Sequence, residues 1–456
     1  MVTPIKMTVA PAPHLRRAGL AITIVSLTAI AFATLLPGPP AAPGSHLCLA
    51  CGSFGGVNAI LNVLLFVPLG VGLALSGYPG TRTVLIVFAL SAMIELTQLA
   101  IPGRYSTIGD VLTNTIGGAL GFAASRYARV WLLPSPRIAT SFFIGWCAIW
   151  LTVQAASGFA FTPSVPESRY YYGQLARKLG HFAVFRGRVL GASIDGVSIT
   201  DTRLNDADSV GRRLRGGNTL AVTVIPGELT DDIAPIVRVA DAEEREIALL
   251  AQDGQELLFG IRTGAAILRL RPPLFAVAGV FPSSSANGNY SSADTISLSG
   301  SYNVREAQLT ARTGSARKYR GLPVSASLGW TLVLPFQWLI EDTRAELFVS
   351  WIWMAGLMVP LGYWGARIAR ISDWQANPAL ALVCFLGGVA ILFVGLVLVP
   401  DAFGLPAAPT REWLAAATGV LVGGALVLCT REFGGSAKLT PRSRESLQQE
   451  SRFPGR

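Results

Sequence analysis

The sequence predicts an α-helical polytopic membrane protein of about eight spans, with an inserted all-β sandwich, jelly-roll-like, on the extracytoplasmic side. Three observations point there. Only 14% of the 456 residues are charged while 51% are hydrophobic, and the mean hydropathy is +0.48; an ordinary soluble domain is roughly 25% charged. No Asp, Glu, Lys or Arg occurs from Ala18 to Thr81, room for two helices of the about 20 apolar residues that cross a bilayer core. Charge gathers instead in residues 157–344, with 20 Lys+Arg and 18 Asp+Glu, leaving 17 and 9 for the rest of the chain.

The first two spans are expected at Ala18–Leu36 and Val57–Ser76, separated by a loop whose Pro37, Pro39, Pro40 and Pro43 cannot continue a helix. Further spans are expected at Thr83–Ile101, Ile108–Ala124, Ile138–Ala156, Leu347–Ala366, Pro378–Val399 and Trp413–Cys429. Arg16 and Arg17 before the first apolar run would also suit a cleaved signal, but 19 apolar residues exceed a signal core of about 7 to 15 residues, so a retained anchor is expected.

Lys and Arg in short loops collect on the cytoplasmic side. With the N-terminus inside, 15 basic residues fall in cytoplasmic segments and only Arg104 and Arg411 in short outer loops. That asymmetry places 157–346 outside. It also accounts for most of the net charge of +10, which removes the main support for nucleic-acid binding. The expected division is a membrane domain of five spans (1–156), an outer sandwich (157–327), an interfacial segment with three further spans (328–430) and a basic cytoplasmic tail (431–456).

Within the outer module, short apolar runs alternate with turns: Leu220, Val222, Val224; Ile236, Val237, Val239; Ile247–Leu250; Leu257–Ile261; Ile267, Leu268, Leu270; and Ile296, Leu298. Asp253-Gly254 between two runs signals a hairpin, and many closely spaced strands suit a sandwich. The order, with IALLAQDGQELLFGIRT at its middle, resembles a LamG or concanavalin-type jelly roll. Such a resemblance implies a glycan- or protein-binding module, in which Asp206, Asp208, Asp231 or Asp232 would be the oxygen ligands of a calcium ion; paired acids in loops are more often solvated turn residues. With most of the local charge and its own apolar runs, 169–325 is expected to fold alone. The run Leu328–Ile340 is too short to span and reads either as a helix on the outer surface or as a final strand.

Polar residues in spans two to four form the sharpest pattern. Asn58 and Asn62 lie at i, i+4; Glu95 and Gln98 at i, i+3; Asp110 and Asn114 at i, i+4, followed by Gly117 and Gly121 in a spacing that lets helices approach closely. At ~1.5 Å per residue, Glu95, Asn62 and Asn114 sit roughly 8 to 9 Å below the outer ends of their spans. A lone intramembrane carboxylate needs a partner or a proton, and Arg104 is the expected partner of Glu95. Interhelical glue explains Asn58 and Asn62 equally well.

The segments NAILNVLLFVPLG, ELTQ and PGRYSTIGDVLTNTIGGALG resemble the VanZ-like family, with Asn62, Pro68, Gly70, Glu95, Gln98, Arg104, Asp110, Asn114 and Gly117 at its motif positions. The resemblance spans about Val57–Ala124 and implies a protein of the bacterial envelope, in the cytoplasmic membrane, linked to teicoplanin resistance; it implies no reaction. Candidate ligand-binding residues are Glu95, Arg104, Asp110, Gln98, Asn114 and Asn62, and the expected partner is a membrane lipid or lipid-linked, anionic envelope precursor, with a glycan for the sandwich.

Other signals are weak. His46, Cys48 and Cys51 form H-x-C-x-x-C without a fourth zinc ligand; outside the cytoplasm a local disulfide or two thiols fit as well. Cys147, Cys384 and Cys429 fall within spans and read as small apolar residues. No metalloprotease, P-loop, serine-hydrolase or dinucleotide motif is present, and no cofactor or metal is expected. A non-enzymatic binding protein, an intramembrane enzyme using Glu95 or Asp110 as acid or base with Arg104 on phosphate, and a transporter remain open, the last disfavoured by the lack of an internal repeat.

Overall fold

A computed structural model describes residues 12–37, 52–104, 106–180, 182–204, 206–216, 219–282, 295–371 and 378–430. His46, Cys48, Cys51, His181 and the basic tail lie outside the described residues, as does the side chain of Cys384.

Four helices come first: α1 (Pro13–Leu35), α2 (Gly55–Leu75), α3 (Gly80–Gln98) and α4 (Ile108–Arg126). A short α5 (Ala128–Leu132) leads into the long α6 (Pro136–Phe161). Pro13 and Pro136 sit in the first helical turn, where a missing N–H costs nothing. Among the described residues six helices are long and apolar enough to cross a membrane: α1, α2, α3, α6, and two near the C-terminus at Arg344–Ala369 and Thr410–Cys429. This is a multi-pass membrane protein. Each of the eight expected stretches is helical, but α4 is less apolar on average than the six and Pro378–Phe393 is shorter.

The chain then enters two sheets. In order the strands are β1 (Tyr171–Leu175), β2 (Arg188–Ile194), β3 (Val197–Ile199) and β4 (Arg203–Leu204), followed by helix α7 (Ala207–Arg215). Next come β5 (Leu220–Ile225), β6 (Ala234–Asp241), β7 (Glu246–Asp253), β8 (Glu256–Ile261), a helical turn α8 (Gly264–Ile267) and β9 (Leu274–Val277). Last are β10 (Ile296–Tyr302), β11 (Glu306–Thr313), β12 (Ala316–Pro323) and β13 (Leu339–Ile340). One sheet has the order β13-β9-β8-β7-β6-β1-β4 and the other β12-β11-β10-β5-β2-β3. Pairing is antiparallel except between β13 and β9. The expected hairpin forms with Asp253 opposite Glu256 and Gly254 at φ +51°, the positive φ for which glycine is suited.

The sheets face each other as a sandwich: Phe275 of one stacks 5.5 Å from Tyr302 of the other, and both contribute to one buried apolar cluster. Leu249, Ala251, Leu258, Leu274 and Ala276 form a second cluster on the far side of β7–β9. These strands are buried on both faces, so their runs read as continuous rather than alternating. The run Ile267, Leu268, Leu270 is not a strand. It begins at Ile267, the last residue of the helical turn α8, and with Arg269 at φ +54° it presents the Arg269 carbonyl to the Gly56 and Val57 amides at 3.1 and 3.3 Å, two of the N–H groups that the start of α2 leaves unpaired.

After the sandwich, a 3₁₀ turn (Ala326–Val333) precedes β13, then α9 (Arg344–Ile371), α10 (Pro378–Phe393), a π turn (Val394–Leu398), α11 (Val399–Ala402) and α12 (Thr410–Cys429). The segment around Leu328–Ile340 therefore combines the two expected forms. Its first residues, Leu328–Leu332, are buried, with Trp330 4% exposed and its indole N–H reaching Ser350 Oγ of α9 at 3.0 Å, while Pro335 and Phe336 are exposed. The sandwich is not self-contained either. Its core takes in Ala160 and Phe161 of α6 and Leu405 before α12, and Tyr302 Oη donates to the Phe161 carbonyl at 2.6 Å.

The membrane helices form two groups, α1–α4 around Phe66, Leu69 and Val87 and α6, α9 and α12 around Trp150, Met354 and Met358. In the first group α4 lies close along α2. A Cβ on Gly117 would sit 2.3 Å from the Val63 carbonyl and one on Gly121 2.0 Å from that of Val67. Overpacking of this kind costs about 1–3 kcal/mol, so Gly121→Ala should lower the melting temperature of the purified protein in detergent. Gly145→Ala, with nothing within 4 Å of the added carbon, should leave it unchanged in the same scan.

Candidate functional site

The last turns of α1 and α3 and the first turns of α2 and α4 surround a cavity of about 710 Å³. Asn62, Glu95, Gln98, Arg104, Asp110 and Asn114 all line it, together with Asn58 and the apolar Leu61, Leu64 and Leu65. Leu64 is 60% exposed on the outer flank of the bundle, so the cavity wall extends to the exposed flank of the helices. Pro335, which follows the 3₁₀ turn, completes the wall.

Thr107 organises the two acids. As N-cap of α4 its Oγ1 accepts from the Asp110 amide at 3.1 Å, the usual first service of such a residue. The T-x-x-D spacing would let Asp110 reach back to the Thr107 amide. Instead Glu95 Oε2, from the end of α3, accepts that N–H at 2.8 Å. Asp110 is thereby released to face α2, where Asn62 Nδ2 donates to its Oδ1 at 2.7 Å. Asp110 in the first turn of α4 also faces the positive end of the helix dipole.

The other amides point at protein as well. Gln98 Nε2 donates to the Thr34 carbonyl at 2.9 Å and Asn114 Nδ2 to Ser91 Oγ at 2.9 Å. Asn114 is 2% exposed, and its Oδ1 has no hydrogen-bond partner. Asn58 is exposed at the rim.

Arg104 does not pair with Glu95. Its Nε donates to the Leu36 carbonyl at 2.7 Å and its Nη2 to the Ala33 carbonyl at 2.9 Å. The last carbonyls of a helix lack partners and carry negative dipole charge, so the end of α1 competes for the guanidinium. Six ion pairs between described residues lie in the β module, and none of these involves Glu95, Arg104 or Asp110. The structure thus brings the six expected residues to one cavity and redirects the arginine.

Sequence reasoning missed Thr107, Ser91 and Pro335. Thr107 was detectable as a helix start three residues before an acid; Ser91 and Pro335 carry no local signal. In the β module, Asp206 caps α7 by accepting from the Ser209 amide at 3.1 Å, a turn role. Among the described residues no group of three or more His, Cys, Asp or Glu could hold a metal ion.

Residues 20–131 match the VanZ/LLP1 family model. The VanZ/LLP1 match covers α1 from residue 20, all of α2–α4 and every cavity residue except Pro335; it does not extend to the β module. No curated protein and no solved structure matches the chain.

Removing the Asn62 amide leaves the partly buried Asp110 carboxylate without this donor, a loss of about 1–3 kcal/mol for hydrogen bonds to charged groups. Asn62→Leu should therefore destabilise the detergent-solubilised protein in thermal unfolding. Asn62→Asp, which sets a second carboxylate beside Asp110, should destabilise it further.

Proposed function

We propose that this chain is a cell-envelope protein of the bacterial cytoplasmic membrane that binds the head group of a membrane lipid or lipid-linked precursor in the α1–α4 cavity, and carries an extracytoplasmic LamG-like sandwich that engages glycan or protein. The observation that carries the reading is a polar cavity of about 710 Å³ inside an apolar bundle, with Leu64 on its exposed flank. The volume lies within the roughly 300–1,000 Å³ of small-molecule sites. Polar and ionisable side chains are expensive within a bilayer and mark functional positions there. The VanZ/LLP1 match supports the envelope assignment.

The orientation, with eight spans and both termini cytoplasmic, rests on the 15 to 2 division of basic residues. Reporter fusions after Ala156 and at Arg456 should report opposite faces of the membrane. A cytoplasmic signal at Ala156 would reverse the assignment.

Lipid identified by mass spectrometry on the gently solubilised full chain is expected to fall severalfold in Leu61→Trp, which fills the cavity, while folding by near-UV circular dichroism is retained. Equal lipid in both proteins would reject the cavity as the binding site.

A further inference from the structure

The chemistry of the cavity wall specifies the head group beyond its polarity. Two carboxylates, Glu95 and Asp110, line it, and Glu95 is only 6% exposed. Neither forms an ion pair among the described residues. Their hydrogen bonds come from neutral groups, the Thr107 amide and the Ser106 side chain on Glu95 and the Asn62 side chain on Asp110, which solvate a charge without cancelling it. The one cationic wall residue, Arg104, spends two of its donors on the α1 carbonyls. Deeper by one turn of α4, Asn114 offers a buried oxygen with no donor. Buried carboxylates favour a charged partner, and an unpaired buried acceptor is costly.

We propose that the cavity takes its ligand by a primary ammonium group, held between Glu95 and Asp110 with Asn114 Oδ1 accepting one of its N–H bonds. The proposal rests on the reading of the cavity as the ligand site. An ammonium brings a full positive charge and three donors in one compact group, which answers both the unpaired carboxylates and the orphan oxygen. A sugar hydroxyl supplies a donor and no charge. A phosphate seated at the same point would meet two like charges while the Arg104 guanidinium is turned to α1, so the anionic head group expected from the sequence is disfavoured there. The exposed Leu64 at the flank favours an aminolipid as the source over a free amine.

Full-length protein, stripped of bound lipid in detergent, is offered phosphatidylethanolamine or phosphatidylglycerol with the same acyl chains, and retained lipid is counted by native mass spectrometry. Wild type should retain the ethanolamine lipid at least about tenfold over the glycerol lipid, the ratio that one charge-assisted hydrogen bond supplies. Glu95→Gln and Asp110→Asn should each bring that ratio close to one. Neither variant should melt well below wild type in the absence of lipid, because the amide that replaces each carboxylate keeps an oxygen to accept the Thr107 and Asn62 N–H bonds.

Equal retention of the two lipids by wild type, a preference that survives both substitutions, or a lipid-free Glu95→Gln that melts well below wild type would overturn the ammonium assignment. If Leu61→Trp leaves retention of both lipids unchanged, the cavity reading itself fails. Ethanolammonium chloride separates the sources: competition with the lipid supports the ammonium as the recognised group, and stabilisation of the protein by the salt with no retained aminolipid assigns a soluble amine. Absence of any effect from both probes overturns the proposal.

Discussion

A buried polar group needs a hydrogen-bond partner, and the α3–α4 junction shows how this chain supplies several at once. Thr107 serves both sides of the junction, with its hydroxyl on the Asp110 amide and its own amide on Glu95. A self-contained capping box would have consumed the Asp110 side chain at the helix end. Using Glu95 instead ties α3 to α4 and frees Asp110 to meet Asn62 on α2. One threonine thus sets the positions of two carboxylates and, through Asn62, the spacing of three helices. The glycines at 117 and 121 do the complementary work below it, letting α4 approach α2 closely enough for the Asn62–Asp110 bond to form.

The β module is coupled to the membrane helices by the same rule. Where the two meet, buried polar groups are satisfied across the seam: Tyr302 on the Phe161 carbonyl, Ser325 and Ser327 on Glu412, Trp330 on Ser350, and Trp338 on Glu346. Burial pushes the Tyr302 phenol far above its ordinary range, so it remains a donor at any physiological pH. Glu346 also accepts from the amides of Glu341 and Asp342 at 2.9 and 2.8 Å, fixing the entry to α9. These bonds, with Phe161 in the module's own core, make the sandwich and the second helical group one packed unit, which is why a fragment cut at 169–325 lacks part of its interior.

What the sequence discloses and what it hides divide along locality. The eight apolar stretches and the strands around Leu220, Ile236, Ile247, Leu257 and Ile296 are readable because each is defined by its own periodicity. The polar faces of α2, α3 and α4 are readable for the same reason, and their common depth follows from helix rise. The fate of Arg104 is not. Electrostatic reasoning pairs it with Glu95, but the choice is decided by the end of α1, some 70 residues earlier, whose carbonyls no motif marks as available. The Ile267–Leu270 run misleads because its apolar residues enter no sheet: Ile267 and Leu268 stay exposed, and the segment instead sets the Arg269 carbonyl against the start of α2. Pro335 contributes to a cavity built from residues more than 200 positions away, and no single-chain pattern encodes that.

The two helical groups differ in their interiors, and Arg271 is one point at which the sandwich meets the first of them. The group of α6, α9 and α12 has an apolar interior and holds the sandwich; the group of α1–α4 has the polar cavity. Arg271, just before β9, lies 4.7 Å over the ring of Phe54 at the start of α2. Its Nε donates to the Leu334 carbonyl at 2.7 Å and its Nη2 to that of Pro335. A planar guanidinium can stack and donate in this way where an ammonium cannot. It therefore clamps the cavity's outer wall, Pro335, to the helix that supplies Asn58 and Asn62. Any displacement of the sandwich relative to α2 must pull on that clamp and on the bonds from the Gly56 and Val57 amides to the Arg269 carbonyl, so the module's position and the shape of the cavity mouth are linked.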